Sequence, residues 1–215
     1  TASGKTLCYS LPILEKCLQD PDSRALMLFP LKALAQDQLA AFGELTGHWP
    51  EAARPSIAIY DGDTTDHFRR KIRKNPPNVL ITNPEMLHLA ILPFHEQWTT
   101  FLASLSLVVV DEAHTYRGVL GSHISQLFRR LNRICAARPN FVFCTATVGN
   151  PEELAGNLLG RELGQEKGLP SENASPFSPL FSPSSSSEPV ALGEETSLNA
   201  PQESADIPAI RESGA

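Results

Sequence analysis

The sequence predicts an α/β fold in which a mainly parallel sheet is covered by helices on both faces. Two observations in residues 1–160 support it: short apolar runs alternate with longer stretches whose apolar residues recur at helical spacing. Almost purely apolar runs are typical of strands buried on both faces, and such strands occur in parallel sheets. Ligands of these sheets bind beyond the carboxyl ends of the strands, so we expect the functional residues there.

The predicted elements alternate along the chain. Helical spacing over 6–18 precedes an apolar run at 25–29, and helical spacing over 34–45 precedes a run at 57–60. A helix over 66–73 is followed by a strand at 79–82 and then by one at 107–110. Helical spacing over 124–134 leads to a strand at 141–144 and to a last helix over 151–159.

Composition divides the chain near residue 160. The 215 residues carry 18 basic and 24 acidic side chains, a net charge of −6. Residues 1–160 hold 15 of each, whereas residues 161–215 hold 3 basic and 9 acidic residues. Serine and proline fill 18 of the 51 positions from 165 to 215, and such a segment buries too little apolar surface to offset its ordering entropy. We therefore predict a folded domain over 1–160 and a disordered acidic tail or linker over 161–215.

The sequence disfavours a membrane span, a disulfide scaffold and a zinc site. No apolar stretch approaches the roughly 20 residues that a membrane-spanning helix needs. The four cysteines form no Cys-x-x-Cys pair and have no histidine at finger spacing, which favours reduced thiols in a cytoplasmic protein. The chain opens on Thr1 with no signal peptide in view, and we expect a fragment whose start lies upstream.

The opening residues match the second half of the phosphate-binding loop Gly-x-x-x-x-Gly-Lys-Ser/Thr. In that loop Gly4 lets backbone amides turn toward phosphate oxygens, Lys5 offers a charge to the β- and γ-phosphates, and the Thr6 hydroxyl can ligate Mg²⁺. Ser3 completes the candidate nucleotide-binding set. A loop without a role is the alternative interpretation of half a motif. The first glycine and its strand would lie before Thr1, so we expect the sheet to lack its first strand.

Two carboxylates follow the apolar run at 107–110. Asp111 is placed to hold Mg²⁺ directly or through water, and Glu112 to orient and deprotonate an attacking water. The alternative is a solvated strand end that happens to be acidic. The phosphate loop at the start of the chain favours the catalytic interpretation.

Small hydroxyl residues follow the last predicted strand. Thr145 and Thr147 can hydrogen-bond both to the carboxylates and to neighbouring loops. His114 either packs in the core or links the nucleotide site to this loop.

In this order and spacing, Gly4-Lys5-Thr6, Asp111-Glu112-Ala113-His114 and Thr145-Ala146-Thr147 resemble motifs I, II and III of superfamily 2 DEAD/DEAH-box helicases. Residues 29–38 resemble motif Ia, residues 82–87 resemble motif Ib, and residues 60–64 lie where the family has a loop facing nucleic acid. The stretches at 60–64, 86–98 and 115–123 are similar to the bacterial YprA/MrfA-like DNA helicase subgroup. The resemblance covers residues 1–160.

The resemblance implies a RecA-like first domain that uses ATP and Mg²⁺ and grips one nucleic-acid strand, with DNA favoured over RNA by the subgroup alone. It assigns Lys5, Asp111 and Glu112 to catalysis, Ser3, Gly4, Lys5 and Thr6 to nucleotide binding, and Thr6 and Asp111 to the metal. It assigns His114, Thr145 and Thr147 to coupling, and Lys32, Gln36, Gly62, Thr82 and Asn83 to nucleic-acid binding. It also implies a second RecA-like domain, in cis or in trans, that supplies an arginine finger.

Two questions stay open at this point. The basic run at 69–74 is either a phosphate contact or a solvated helix face. The whole is either half of a DNA helicase or translocase, a truncated and catalytically silent binding module, or the motor of a restriction or repair nuclease. The isolated chain should hydrolyse ATP poorly, because an arginine finger contributes about 10³–10⁵ in rate.

Overall fold

Five parallel strands form one sheet in the computed structural model, which describes residues 4–161. The strands are β1 Arg24–Leu28, β2 Ile57–Ile59, β3 Val79–Thr82, β4 Leu105–Val110 and β5 Asn140–Phe143. Their order is β2-β3-β1-β4-β5, and every neighbouring pair is parallel. The predicted parallel sheet is confirmed. Ser3 and the predicted tail after Arg161 lie outside the described residues.

Helices precede, connect and follow the strands. They are α1 Lys5–Gln19, α2 Lys32–Thr46, α3 Asp66–Lys74, α4 Pro84–Met86, α5 Thr99–Ala103, α6 Gly118–Ile134 and α7 Pro151–Leu159. A π-helical turn, Leu87–Ile91, follows α4, and 3-10 turns lie at Glu51–Ala53, His95–Trp98 and Ala113–Thr115. No helix among residues 4–161 is long and apolar enough to cross a membrane.

Alternate residues of each strand face opposite sides of the sheet, and each side has its own core. Ala25 and Met27 of β1 pack in one core with buried residues of α1 and α2. Leu26 and Leu28 pack in the other core with buried residues from the β3–β4 connection, α6 and α7. Because both faces are covered, the strands read as apolar runs.

The β3–β4 connection contains helical turns that the spacing does not predict. Trp98 anchors this connection and is fully buried. Its ring packs edge to face against Tyr60, with the ring centroids 5.0 Å apart, and its indole N–H donates to the carbonyl oxygen of Ala90 at 3.3 Å. Turns of three to five residues are too short to show an apolar period, so packing rather than pattern defines them.

Candidate nucleotide and nucleic-acid site

The carboxyl ends of the central strands meet the start of α1. Lys5 is the first residue of α1 and follows Gly4, whose φ of +66° is a left-handed conformation that glycine adopts without strain. The Lys5 ammonium reaches the loop after β5, where it donates to the carbonyl oxygen of Thr145 at 3.3 Å. The two outer motifs, 140 residues apart in sequence, are therefore in contact.

Asp111 directly follows β4, and its backbone N–H donates to the carbonyl oxygen of Leu28 at 3.0 Å. Burial raises the pKa of the Asp111 carboxyl above its ordinary value, and the charge of Glu112 acts in the same direction. A hydrogen bond from the Glu112 backbone and the charge of Lys5 oppose this shift. A half-buried carboxylate is a suitable oxygen ligand for a cation.

Glu112 has an unusual backbone conformation. Its φ of 49° and ψ of 42° make it the single non-glycine residue with positive φ among residues 4–161. Such a conformation costs of order 1–3 kcal/mol and persists where surrounding structure enforces it, commonly at functional sites. Here Thr115 enforces it, since its backbone N–H and its hydroxyl both donate to the Glu112 carbonyl oxygen, at 2.9 and 2.8 Å.

The loop after β4 is tied to the loop after β5. The backbone N–H of Ala113 donates to the carbonyl oxygen of Cys144 at 2.8 Å. The Nδ1 atom of His114 lies 3.2 Å from Glu112 Oε2 and 3.4 Å from the backbone nitrogen of Ala146. His114 thus contacts both loops, as the linking interpretation expects, rather than packing in the core.

The two threonines of the β5 loop differ in environment. The Thr145 hydroxyl oxygen is buried and has no hydrogen-bond partner among the described residues. Thr147 is exposed. Thr145 is therefore the one of the pair whose hydroxyl is available inside the site.

These residues fit a magnesium–nucleotide complex. The half-buried Asp111 carboxylate lies within reach of the Lys5 charge, and the hydroxyl of Thr6 follows Lys5 in α1. Both are hard oxygen donors, which Mg²⁺ prefers. No group of three or more His, Cys, Asp and Glu side chains within residues 4–161 could hold a metal alone. A Mg²⁺ ion here would depend on phosphate oxygens and water for most of its ligands, which is usual for this ion.

A second set of candidate residues lies at the start of α2 and in the loop after β2. Lys32, at the start of α2, forms an exposed ion pair with Asp63, with Nζ 2.6 Å from Oδ2. That hydrogen bond raises the pKa of the Lys32 ammonium above its ordinary value. Lys32 and Gln36 line a cleft of about 960 Å³, to which Phe68 and Lys71 of α3 also contribute.

One carboxylate organises the loop after β2. Asp61 Oδ1 accepts hydrogen bonds from the backbone N–H groups of Asp63 and Thr64 and from the Thr64 hydroxyl, each at 3.0 Å. Arg69 donates to the carbonyl oxygens of Thr64 at 2.7 Å and Asp61 at 2.9 Å. This loop presents Gly62, which is exposed, at its tip.

Asp61 and Arg69 are structural residues of the site that the sequence interpretation missed. The signal for Asp61 was present, since Asp-Gly-Asp-Thr is a sequence in which an aspartate caps its own turn. Arg69 belongs to the basic run, and its guanidinium is engaged within the protein. Arg70, Lys71 and Lys74 remain exposed on α3.

Thr82 and Asn83 end β3 in different ways. Thr82 is 2% exposed, and its hydroxyl donates to the Tyr60 carbonyl oxygen at 2.5 Å. Its hydroxyl is engaged within the protein, and the nucleic-acid contact of Thr82 stays a prediction. Asn83 caps α4, where its Oδ1 accepts from the Met86 backbone at 2.8 Å.

Comparison with known proteins points to one family. The model of the DEAD/DEAH box helicase family matches residues 1–154. An ATP-dependent helicase of Bacillus subtilis, YprA, is 47% identical over 176 residues, which are 80% of this chain and 23% of YprA. The ATP-dependent helicase HRQ1 of Saccharomyces cerevisiae is 43% identical over 165 residues, 74% of this chain and 15% of HRQ1.

A solved structure agrees. The crystal structure of the DUF1998 helicase MrfA bound to DNA and AMPPNP is 47% identical, with a TM-score of 0.68, over 75% of this chain and 23% of MrfA. The RecA-like fold that the sequence resemblance implies is confirmed by this likeness. The chain spans less than a quarter of the length of each of these relatives.

Proposed function

This chain belongs to the DEAD/DEAH box helicase family, and from that premise we propose that residues 1–160 are the ATP-binding half of an ATP-dependent DNA helicase or translocase. The observation that carries the proposal is the meeting of three separate segments at one edge of the sheet. Lys5 contacts Thr145, and His114 contacts both Glu112 and the loop after β5. The groups that we assign to binding, hydrolysis and coupling therefore contact one another within one domain.

We assign Gly4, Lys5 and Thr6 to the phosphates of ATP, with Ser3 beside them. Thr6 and Asp111 would hold Mg²⁺, and a bound Mg²⁺ would neutralise charge that develops on the transferring phosphoryl group. Lys5 adds a second positive charge to those phosphate oxygens. Its present contact with a backbone carbonyl is readily exchanged for a charged oxygen, because charge-assisted hydrogen bonds are the stronger ones.

Glu112 is our candidate general base. Its carboxylate would accept a proton from the attacking water, and the enforced backbone conformation fixes the direction of its side chain. His114 would report the protonation state of Glu112 to the loop after β5. Thr145 and Thr147 would couple that change to the residues that bind nucleic acid at the ends of β1, β2 and β3.

We propose that nucleic acid lies across the ends of β1, β2 and β3. Lys32, Gln36, Gly62 and Asn83 would contact its backbone, with Thr82 supporting the loop. Backbone and polar groups of this kind bind phosphates without reading sequence. DNA is favoured over RNA because the solved relative MrfA is bound to DNA. A second RecA-like domain, in cis or in trans, would complete the ATP site.

Phosphate release from ATP tests the proposal. The 215-residue chain alone should turn over slowly, and a longer polypeptide that adds a second RecA-like domain should be stimulated by single-stranded DNA. Glu112→Gln should abolish that stimulated turnover, whereas the exposed Glu152→Gln on α7 should not. Strong DNA-stimulated hydrolysis by the 215-residue chain alone would contradict the need for a second domain. Nucleic-acid binding without any turnover in the longer polypeptide would favour the silent binding module.

A further inference from the structure

Gln38 is a buried polar side chain for which the roles assigned above give no explanation. It lies on α2 with 7% of its surface exposed, and its Nε2 donates to Thr6 Oγ1 at 3.5 Å. Its Oε1 is buried without a hydrogen-bond partner among residues 4–161. A buried amide oxygen without a partner is unfavourable, so its presence needs an explanation.

The side chain sits between the two halves of the candidate site. On α2, Lys32 and Gln36 are exposed to the cleft, while Gln38 is buried toward α1 and reaches Thr6. Thr6 is the second residue of α1 and the proposed metal ligand of the phosphate loop. Gln38 is thus the side chain of α2 that contacts the nucleotide loop by a hydrogen bond in the described structure.

A threonine that ligates a metal benefits from such a neighbour. A hydroxyl that binds a divalent cation gives an oxygen lone pair to the metal and can donate its proton to a nearby acceptor. Tyr9 of α1 is a second side chain that hydrogen-bonds Thr6. Rotation of the Gln38 carboxamide by half a turn exchanges Nε2 and Oε1. The unpartnered Oε1 would then face the Thr6 hydroxyl, where it can accept that proton.

We propose that Gln38 is a positioning residue for the metal: its Oε1 accepts the Thr6 hydroxyl proton and thereby directs an oxygen lone pair of Thr6 toward Mg²⁺. The inference rests on the proposed function, because it needs Thr6 to ligate the ion. Gln38 itself touches neither the nucleotide nor the metal.

Nucleotide binding with and without metal tests the proposal. A fluorescent ATP analogue is titrated with the 215-residue chain in Mg²⁺ and in EDTA, and the ratio of the two affinities is the quantity compared. Gln38→Met should reduce that ratio about tenfold or more, as loss of an outer partner of a metal ligand commonly does. Gln38→Glu keeps an acceptor oxygen and should retain most of the ratio. Thr46→Val removes a different buried polar group of α2, a hydroxyl that donates to the Phe42 carbonyl oxygen at 2.8 Å, and should leave the ratio unchanged.

The outcomes are separable. The proposal is overturned if Gln38→Met keeps the wild-type ratio of the two affinities. It is also overturned if Gln38→Glu loses that ratio together with Gln38→Met. No metal-dependent binding in the wild-type chain overturns the proposed function instead. A second measurement does not need Gln38→Met to fold: the side-chain amide signals of Gln38, identified by their absence from the Gln38→Glu NMR spectrum, should shift when Mg²⁺ is added to the nucleotide-bound chain. Unshifted signals would also overturn the proposal.

Discussion

Glu112 and His114 share a contact whose character depends on one proton. Nδ1 of His114 lies 3.2 Å from Glu112 Oε2 and 3.4 Å from the Ala146 backbone nitrogen. A protonated Nδ1 donates to Glu112, whereas an unprotonated Nδ1 accepts the Ala146 N–H, so one ring nitrogen can satisfy one of these partners at a time. The hydrogen on Nδ1 therefore decides whether His114 bonds to Glu112 or to the loop after β5.

Replacing His114 should uncouple nucleotide binding from nucleic-acid binding. We expect His114→Ala to bind the ATP analogue nearly as well as the wild type but to lose the effect of single-stranded DNA on that affinity. Coupling between sites commonly amounts to about 5–150-fold, and the variant should approach no coupling. Titrations with and without oligonucleotide measure it, and the exposed His123→Ala on α6 is the control. Undiminished coupling in His114→Ala would contradict the link.

Replacing Glu112 should remove hydrolysis and preserve binding. In a longer polypeptide with a second RecA-like domain, Glu112→Gln should lower turnover by about 10²–10⁴, which is the usual contribution of a positioned base. The affinity for ATP should change little, because the amide keeps the size of the carboxylate. Single-turnover phosphate release gives the rate, and turnover equal to wild type would assign the base elsewhere.

Asp63 should restrain nucleic-acid binding, because it occupies Lys32 through their 2.6 Å ion pair. Asp63→Asn should free the Lys32 ammonium and strengthen binding to single-stranded DNA. Asp37→Asn makes the same charge change on exposed α2 surface and should have a smaller effect. Lys32→Ala should weaken binding and reduce the salt dependence by about one released counterion. The affinities of the variants for single-stranded DNA are measured over a series of salt concentrations. Equal gains in Asp63→Asn and Asp37→Asn would contradict a specific release of the Lys32 ammonium.

The ionised Asp111 carboxylate should lower the free energy of unfolding at neutral pH. Its pKa is raised above 3.8 in the folded protein, chiefly by burial, so the folded state holds this proton more tightly than the unfolded state. The free energy of unfolding therefore falls as pH rises from 3.8 through the folded pKa, and it stays low above it. Asp111→Asn should raise the free energy of unfolding at pH 7 by roughly 0.5–2 kcal/mol, typical of relieving a functional site.

Thermal unfolding over a range of pH checks this sign. The advantage of Asp111→Asn should shrink as the solution is acidified toward the ordinary pKa of aspartate. The exposed Asp37→Asn should show no comparable gain. A variant less stable than the wild type at pH 7 would show that the ionised carboxylate stabilises the fold.

Local signals explain which elements the sequence predicts well. Helix α7 has the predicted bounds because Asn150 caps it, Pro151 occupies its first turn and Gly160 ends it with a φ of +65°. Helix α6 instead begins at Gly118, before the predicted 124. Gly118 and Gly121 hide its first turns from an apolar pattern, and Gly121 is required because a Cβ there would lie 2.7 Å from the Tyr116 carbonyl oxygen.

The candidate site, too, is only partly predictable from the sequence. Residues that follow parallel strands are expected to lie together because the carboxyl ends of those strands share one edge of the sheet, and Lys5 and Thr145 are indeed in contact. How deeply a side chain is buried depends on packing between elements, and the spacing of residues in the sequence carries no information about that packing. The sequence therefore reveals neither that Thr82 is buried nor that Gln38 reaches Thr6.

Binding of Mg²⁺ and ATP at Lys5 tests the account most directly. The fluorescent ATP analogue is titrated with the wild-type chain, with Lys5→Ala, and with Lys16→Ala, which removes an exposed lysine from the same helix. We expect saturable, Mg²⁺-dependent binding by the wild type and by Lys16→Ala, with at least a tenfold loss in Lys5→Ala, since charge-assisted contacts to phosphate contribute about 1.5–3 kcal/mol. Equal affinity of Lys5→Ala and the wild type would contradict it.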